Sequence, residues 1–80
     1  MTVGDAVRQR IIELCRERNL SFNKLATQSG VTQSTLNNII SGRNNSATVS
    51  TVKKLCDGFG ITIEAFFAAD CFRGLEQELQ

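Results

Sequence analysis

Four polar side chains that follow a threonine in the middle of this 80-residue chain are its best candidates for chemistry. Gln33 and Ser34 come directly after Thr32, and Asn37 and Asn38 follow one helical turn later. Apolar residues at helical spacing are expected to hold the opposite side of this segment against a core: Leu36, Ile39 and Ile40. Amides and hydroxyls both donate and accept hydrogen bonds, as the major-groove edge of a base pair requires. The segment therefore favours an uncharged surface that reads nucleic-acid bases.

Residues 22–40 contain the elements that must position these side chains. The pattern predicts two short helices joined by a sharp turn at Gly30, where a left-handed backbone is least strained in glycine. Ala26 is small, as expected where a second helix crosses closely. Apolar residues on both sides of the turn are expected to lock the two helices together: Leu25, Val31, Leu36 and Ile39. The spacing predicts a helix-turn-helix.

The wider chain resembles the lambda-repressor/Cro type of helix-turn-helix domain. VRQRIIELCRERNLS resembles that family's first helix and the start of its second, and TVSTVKKLCDGFGITIEAFF resembles its fourth and fifth helices. The resemblance covers about residues 3–69 and implies a compact, all-α domain of five helices. We expect these helices at about 3–18, 22–29, 33–41, 49–58 and 63–69. The domain is expected to span 1–69, followed by a short tail, 70–80, that could be a dimerisation element.

Helix boundaries and core faces are indicated by local signals. N-caps are expected at Thr2 (with Asp5), Ser21, Thr32, Thr48 and Thr62. A left-handed Asn19 is expected to end the first helix and Gly60 the fourth. The predicted core faces are Val7, Ile11, Leu14 and Cys15 on the first helix, Val49, Val52, Leu55, Cys56 and Phe59 on the fourth, and Ile63, Phe66 and Phe67 on the fifth.

The resemblance also implies roles for individual residues. Base edges are assigned to Gln33, Ser34, Asn37 and Asn38. Phosphate contacts are assigned to Ser21, Asn23, Lys24, Thr32, Arg43, Asn44 and Asn45. Phe22 departs from the family, which commonly has a polar residue at this position. We expect the four arginines of the first helix to lie on a solvated face and to pair with Glu13 and Glu17.

Composition narrows the class of protein. The net charge is only +1, but residues 1–45 carry six basic against three acidic residues, and residues 46–80 carry three against five. No run is long and apolar enough for a membrane span, no signal peptide is visible, and a cytoplasmic protein is expected. Three widely spaced cysteines and the absence of histidine favour neither disulfides nor a metal site, so no metal or cofactor is expected. We expect Cys15 and Cys56 to be buried thiols.

These observations predict a sequence-specific regulator of transcription, a repressor, that binds double-stranded DNA in the major groove. A homodimer is expected, because one small domain offers few base contacts. The candidate dimer surface is Phe66, Phe67, Phe72, Leu75 and Leu79. The alternative is an antitoxin-like or anti-regulator module of the same fold that binds a protein partner such as a toxin. An enzyme is not expected, because no nucleophile–base pair or phosphate loop is present.

Overall fold

The structure, a computed structural model, describes residues 1–42 and 47–77 and is helical within these ranges. Its helices are α1 Val3–Glu17, α2 Phe22–Ser29, α3 Gln33–Ser41, α4 Val49–Phe59 and α5 Ile63–Phe67, with a 3-10 turn at Asp70–Phe72. The predicted all-α architecture is confirmed. The second and third helices begin and end as predicted, and α1 and α4 differ by one residue at their ends.

Each α-helix begins at a hydroxyl side chain that caps its first turn. The Oγ atoms of the predicted caps accept the backbone N–H three residues later, at 3.0–3.1 Å: Thr2, Ser21, Thr32, Thr48 and Thr62. Asp5 completes a capping box by accepting the Thr2 N–H at 3.3 Å, and this bonding lowers the pKa of its carboxyl group. The caps explain why a proline-free chain starts its helices at defined residues.

One core joins the helices. It is formed by residues that are buried on every helix: Val7, Ile11, Leu14, Cys15, Leu25, Ala26, Leu36, Ile39, Val52, Leu55, Cys56, Phe59 and Phe66. The prediction that Val49 and Phe67 belong to this core is wrong, because 76% of Val49 and 38% of Phe67 are exposed.

Val49 lies at the start of its helix. It is the first residue of α4, which begins beyond the edge of the core, so the apolar stripe starts one turn later at Val52.

The thiols follow the predicted pattern. Cys15 and Cys56 are buried and free, and burial raises the pKa of both thiols. They therefore pack as small apolar groups in the protonated form. Cys71 is half-buried, and its Sγ lies 3.6 Å from the Ala6 carbonyl oxygen.

The tail packs on the bundle. Phe72 lies beside the rings of Phe66 and Phe67, with centroid distances of 5.9 and 4.7 Å, and the backbone N–H of Glu76 donates to the Met1 carbonyl at 3.1 Å. Phe66 is fully buried, so its prediction as part of a dimer surface is wrong. It belongs to the core, with the ring of Phe72 beside it. Leu79, another residue of that prediction, lies outside the described residues.

Arg10 fixes the end of α5, which stops at Phe67 and not at the predicted residue 69. Its Nε donates to the Phe66 carbonyl at 2.7 Å and its Nη2 to the Ala65 carbonyl at 2.9 Å, while Nη1 pairs with the Glu13 carboxylate. These are carbonyls that a helix end leaves without intrahelical partners. The expectation of a solvated Arg10 is therefore wrong, since only 12% of its side chain is exposed.

Glu17 has no ion pair within the described residues, so the predicted pairing of Glu17 with an arginine of the first helix is also wrong.

Helices α2 and α4 approach each other closely at Ser29 and Gly58. A Cβ atom on Gly58 would lie 2.0 Å from Ser29 Oγ, 3.0 Å from Ser29 Cβ and 3.1 Å from its Cα. Glycine at 58 is therefore required by a close approach and not by a turn. The Ser29 hydroxyl is buried there and has no hydrogen-bond partner within the described residues. Two small side chains let the axes approach, and the hydroxyl is the poorly accommodated group.

We expect Gly58→Ala to destabilise the fold by about 1–3 kcal/mol, because the added methyl overpacks the crossing. The cost of overpacking exceeds the ~1 kcal/mol by which alanine stabilises a helix relative to glycine. Ser29→Ala alone should be neutral or stabilising, and it should rescue part of the Gly58→Ala loss. Urea unfolding of the two single variants and the double variant measures this coupling. Additive effects would show that the two positions do not share the space assigned to them.

We expect Arg10→Lys to lower the free energy of unfolding by about 1.5–3 kcal/mol, since an ammonium cannot reach both carbonyls and Glu13 together. Arg16→Lys is the matched control, because Arg16 is exposed and has no ion pair within the described residues. Equal unfolding midpoints for the two variants would contradict the role given to Arg10.

Candidate nucleic-acid interface

The outer face of α3 is an uncovered row of uncharged polar side chains. Gln33, Ser34, Thr35 and Asn37 are exposed, and Asn38 is half-buried. On the other side of the same helix Leu36 and Ile39 are buried in the core. Because apolar residues hold one side against the bundle, the amides and hydroxyls face away from it. The structure thus brings the four predicted base-reading residues to one surface.

Thr32 fixes where this face begins. Its Oγ1 accepts the Thr35 N–H at 3.1 Å and donates to Thr35 Oγ1 at 2.8 Å. The threonine is extended (φ −67°, ψ 150°), and Gln33 and Ser34 occupy the first two helical positions after it. Their side chains therefore lie at the exposed N-terminal tip of α3. The hydroxyl of Thr32 is engaged in the cap, so the predicted phosphate contact of Thr32 is left to its backbone.

The turn before α3 sets the direction of that tip. Gly30 adopts a left-handed conformation (φ 69°), and the N–H of Val31 donates to the Ala26 carbonyl at 3.1 Å. Ala26 is buried, as expected for a residue under a crossing helix. Val31 packs against the core after the turn. The turn is thus tied to α2 and to the core, and the direction in which α3 leaves it follows from these contacts.

The start of α2 forms a second polar patch. Ser21, Asn23 and Lys24 are exposed, and the Ser21 hydroxyl caps the helix by accepting the Lys24 N–H at 3.1 Å. The N–H groups of the first helical residues have no intrahelical partner, and the helix dipole gives this end a partial positive charge. Phe22, where the family commonly has a polar residue, is half-buried and packs on the core. Ser21, Asn23 and Lys24 are therefore the residues at the start of α2 that are available to an anion.

The charged residues in the segment that contains the two patches are all basic. No aspartate or glutamate occurs from Arg18 to Cys56, a segment that holds five basic residues: Arg18, Lys24, Arg43, Lys53 and Lys54. The rest of the chain carries a net charge of −4, since it holds four basic and eight acidic residues. A division at residue 45 does not show this segment, whereas the spacing of the acidic residues along the sequence does. The low total charge thus conceals a segment of one sign, Arg18 to Cys56, that contains the helix-turn-helix.

Three of the predicted phosphate contacts, Arg43, Asn44 and Asn45, lie outside the described residues. Among the residues that the structure describes, no cluster of cysteine or carboxylate side chains could hold a metal ion. No helix in the same ranges combines the length and the apolar character needed to cross a membrane.

Two helices joined by a tight glycine turn, with an exposed polar face on the second, define a helix-turn-helix protein. The family model described as helix-turn-helix matches residues 11–66, and the chain belongs to this family, of the lambda-repressor/Cro type. A solved structure titled prophage Lp1 protein 11 is similar: the identity is 33%, the TM-score is 0.81, and the match covers 94% of this chain and 99% of that one. No curated protein matches the chain significantly. Membership of this family identifies the chain as a DNA-binding helix-turn-helix regulator.

Proposed function

We propose that this protein is a cytoplasmic repressor of transcription that inserts the N-terminal part of α3 into the major groove of double-stranded DNA. The observation that carries the proposal is the exposed, uncharged face of Gln33, Ser34, Asn37 and Asn38 on a helix whose other side is fixed in the core. A side-chain amide can accept from adenine N6 and donate to adenine N7 in one bidentate contact, and a serine hydroxyl can serve several bases. Uncharged side chains also avoid the desolvation of an ion at each non-matching site.

Phosphate contacts in this proposal come from the start of α2 and from the loop after α3. Lys24 is exposed and has no ion pair within the described residues, so its charge is available to the DNA backbone. The free N–H groups at the start of α2 suit a phosphate oxygen. Arg43, Asn44 and Asn45 are proposed to hold the neighbouring phosphates. These contacts orient the domain, and the α3 face then reads the sequence.

A homodimer on a near-palindromic site is part of the proposal. Each base contact discriminates by about 1–3 kcal/mol, and four side chains give limited specificity against a genome of competing sites. Two copies on half-sites one helical turn apart double the number of contacts. A protein-binding, antitoxin-like role is the second candidate, favoured by an exposed apolar groove at the junction of α1, α3, α4 and α5.

We expect Gln33→Ala to weaken binding to a selected operator by about 1–3 kcal/mol and to leave binding to random duplex unchanged, because it removes a base contact alone. Gln28→Ala is the matched control, since Gln28 is an exposed glutamine of α2 outside the proposed surface. Fluorescence anisotropy with both duplexes measures the difference. An equal loss on both duplexes would remove Gln33 from the base-reading residues.

We expect Lys24→Gln to weaken binding to every duplex and to reduce the slope of log K against log salt by ~0.9, the value for one lost phosphate contact. Lys54→Gln removes the same charge from the exposed side of α4 and should leave the slope unchanged. A salt titration on random duplex measures both slopes. If the wild-type protein shows no salt dependence, the DNA-binding proposal fails and the protein-binding candidate takes its place.

A further inference from the structure

The outer side of α1 carries a surface groove that the proposed DNA contacts do not use. Two hollows meet at Ile12 and Arg16, which line both of them. One extends along α1 to Arg8, and the other extends past Leu20 to Phe22 at the start of α2. Their volumes are about 320 and 630 Å³, whereas a cavity of ~150 Å³ already holds benzene. This α1–α2 groove therefore suits a chain segment and not a single side chain.

The floor of the α1–α2 groove is apolar. Ile12 is half-buried, and it is not one of the partly buried side chains that pack against the core within the described residues. Leu20 and Phe22 do pack against the core, and they also line the groove. Three large apolar side chains thus lie side by side at the surface, where a partner's apolar side chain would remove them from water.

Two arginines of the groove have no charged partner. Arg8 and Arg16 lie eight residues apart, about 12 Å along α1, with Ile12 midway between them. Neither makes an ion pair within the described residues. Among the described residues of the groove the one carboxylate is Glu13, and it is paired with Arg10. The groove therefore places an apolar floor between two uncompensated positive charges.

This combination fits an acidic protein segment better than it fits nucleic acid. Phosphates and carboxylates can both neutralise the arginines, but a phosphate backbone has no apolar side chain to cover Ile12 and Phe22. A helix with a leucine between two glutamates, each four residues away, supplies both kinds of group. Four residues span about 6 Å along a helix, which is also the spacing from Ile12 to each of the two arginines.

We propose that the α1–α2 groove is a docking site for an acidic amphipathic helix of another protein. Its apolar side chain covers Ile12, and its carboxylates pair with Arg8 and Arg16. The proposal goes beyond DNA binding and does not rest on it, because these three residues are not among the proposed base or phosphate contacts. The site is also separate from the uncharged groove beside Val49, whose described lining shares no residue with it.

Fluorescence anisotropy with a labelled synthetic peptide tests the proposal in the absence of DNA. The peptide is a helix of about five turns, with the Glu-x3-Leu-x3-Glu spacing along one face. One control peptide has the same composition in scrambled order, and the other has lysine in place of each glutamate. The acidic amphipathic peptide should bind about tenfold more tightly than either control, because only it matches both the charge and the apolar floor. No binding, or equal binding of the three peptides, overturns the proposal.

Two variants of the protein, each with a matched control, locate the site. Ile12→Ala should weaken peptide binding about five- to tenfold by removing apolar contact, and Arg16→Gln should weaken it about two- to fivefold, the effect of one exposed ion pair. Val49→Ala and Lys54→Gln shorten an exposed apolar residue and remove an exposed charge outside the groove, and both should bind like the wild type. Circular dichroism verifies that all four variants are folded.

Equal losses for Arg16→Gln and Lys54→Gln would show that the peptide senses only the overall charge, which overturns the proposal. Salt titration on random duplex is the remaining arm, and Arg16→Gln should keep the wild-type slope. A slope reduced by ~0.9 would assign Arg16 to a DNA phosphate instead and would also overturn the proposal. Failure of the DNA-binding proposal is distinguishable, because it appears as a wild type without salt dependence and leaves the peptide result unchanged.

Discussion

The close crossing of α2 is the constraint on which the rest of this structure depends. Ser29 meets Gly58 of α4 so closely that an added methyl group would overpack the crossing, and Ala26 is buried under the neighbouring turn. Close approach maximises dispersion contacts, which a domain of this size needs because it buries a smaller fraction of its surface than a larger domain does. Because α2 is fixed against α4, and α3 is fixed to α2 by the turn at Gly30, the direction of α3 follows from residues that touch no ligand.

Function and stability are thereby separated on α3. One side of the helix carries Leu36 and Ile39 into the core, and the other side carries amides and hydroxyls that contribute little to folding. The sequence of the outer face can change with the target while the core stays the same. The distribution of charge follows the same division, since the acidic residues lie outside the segment from Arg18 to Cys56. A long-range field of this sense orients the segment from Arg18 to Cys56 towards phosphate.

Local signals made much of the fold predictable. A hydroxyl residue before each apolar stripe gave the helix starts, and left-handed Asn19, Gly30 and Gly60 gave the ends. These are interactions between residues close in sequence, so their pattern can be read directly. The surface position of the polar residues on α3 followed from the apolar period of that helix.

Long-range contacts were not predictable from the same signals. Arg10 reads as an exposed charge on α1, and only the structure shows that it ends α5 through carbonyls more than fifty residues away. Val49 continues the apolar period of α4 but lies beyond the core, where it lines a groove built from four helices. Periodicity shows which side of a helix is apolar, and it does not show how far the neighbouring helices extend. The roles of individual residues at the proposed interface remain predictions, because they depend on the geometry of a bound DNA duplex.

The most direct test of the central claim is an NMR titration of the folded protein with a random-sequence duplex at low salt. The account predicts that amide shifts concentrate on Ser21–Lys24 and Thr32–Asn38, with the side-chain amides of Gln33 and Asn37 among them. The outer arginines of α1, Arg8 and Arg16, should move little. Shifts centred on α1 that spare α3 would contradict the claim that the uncovered face of α3 is the DNA-binding surface.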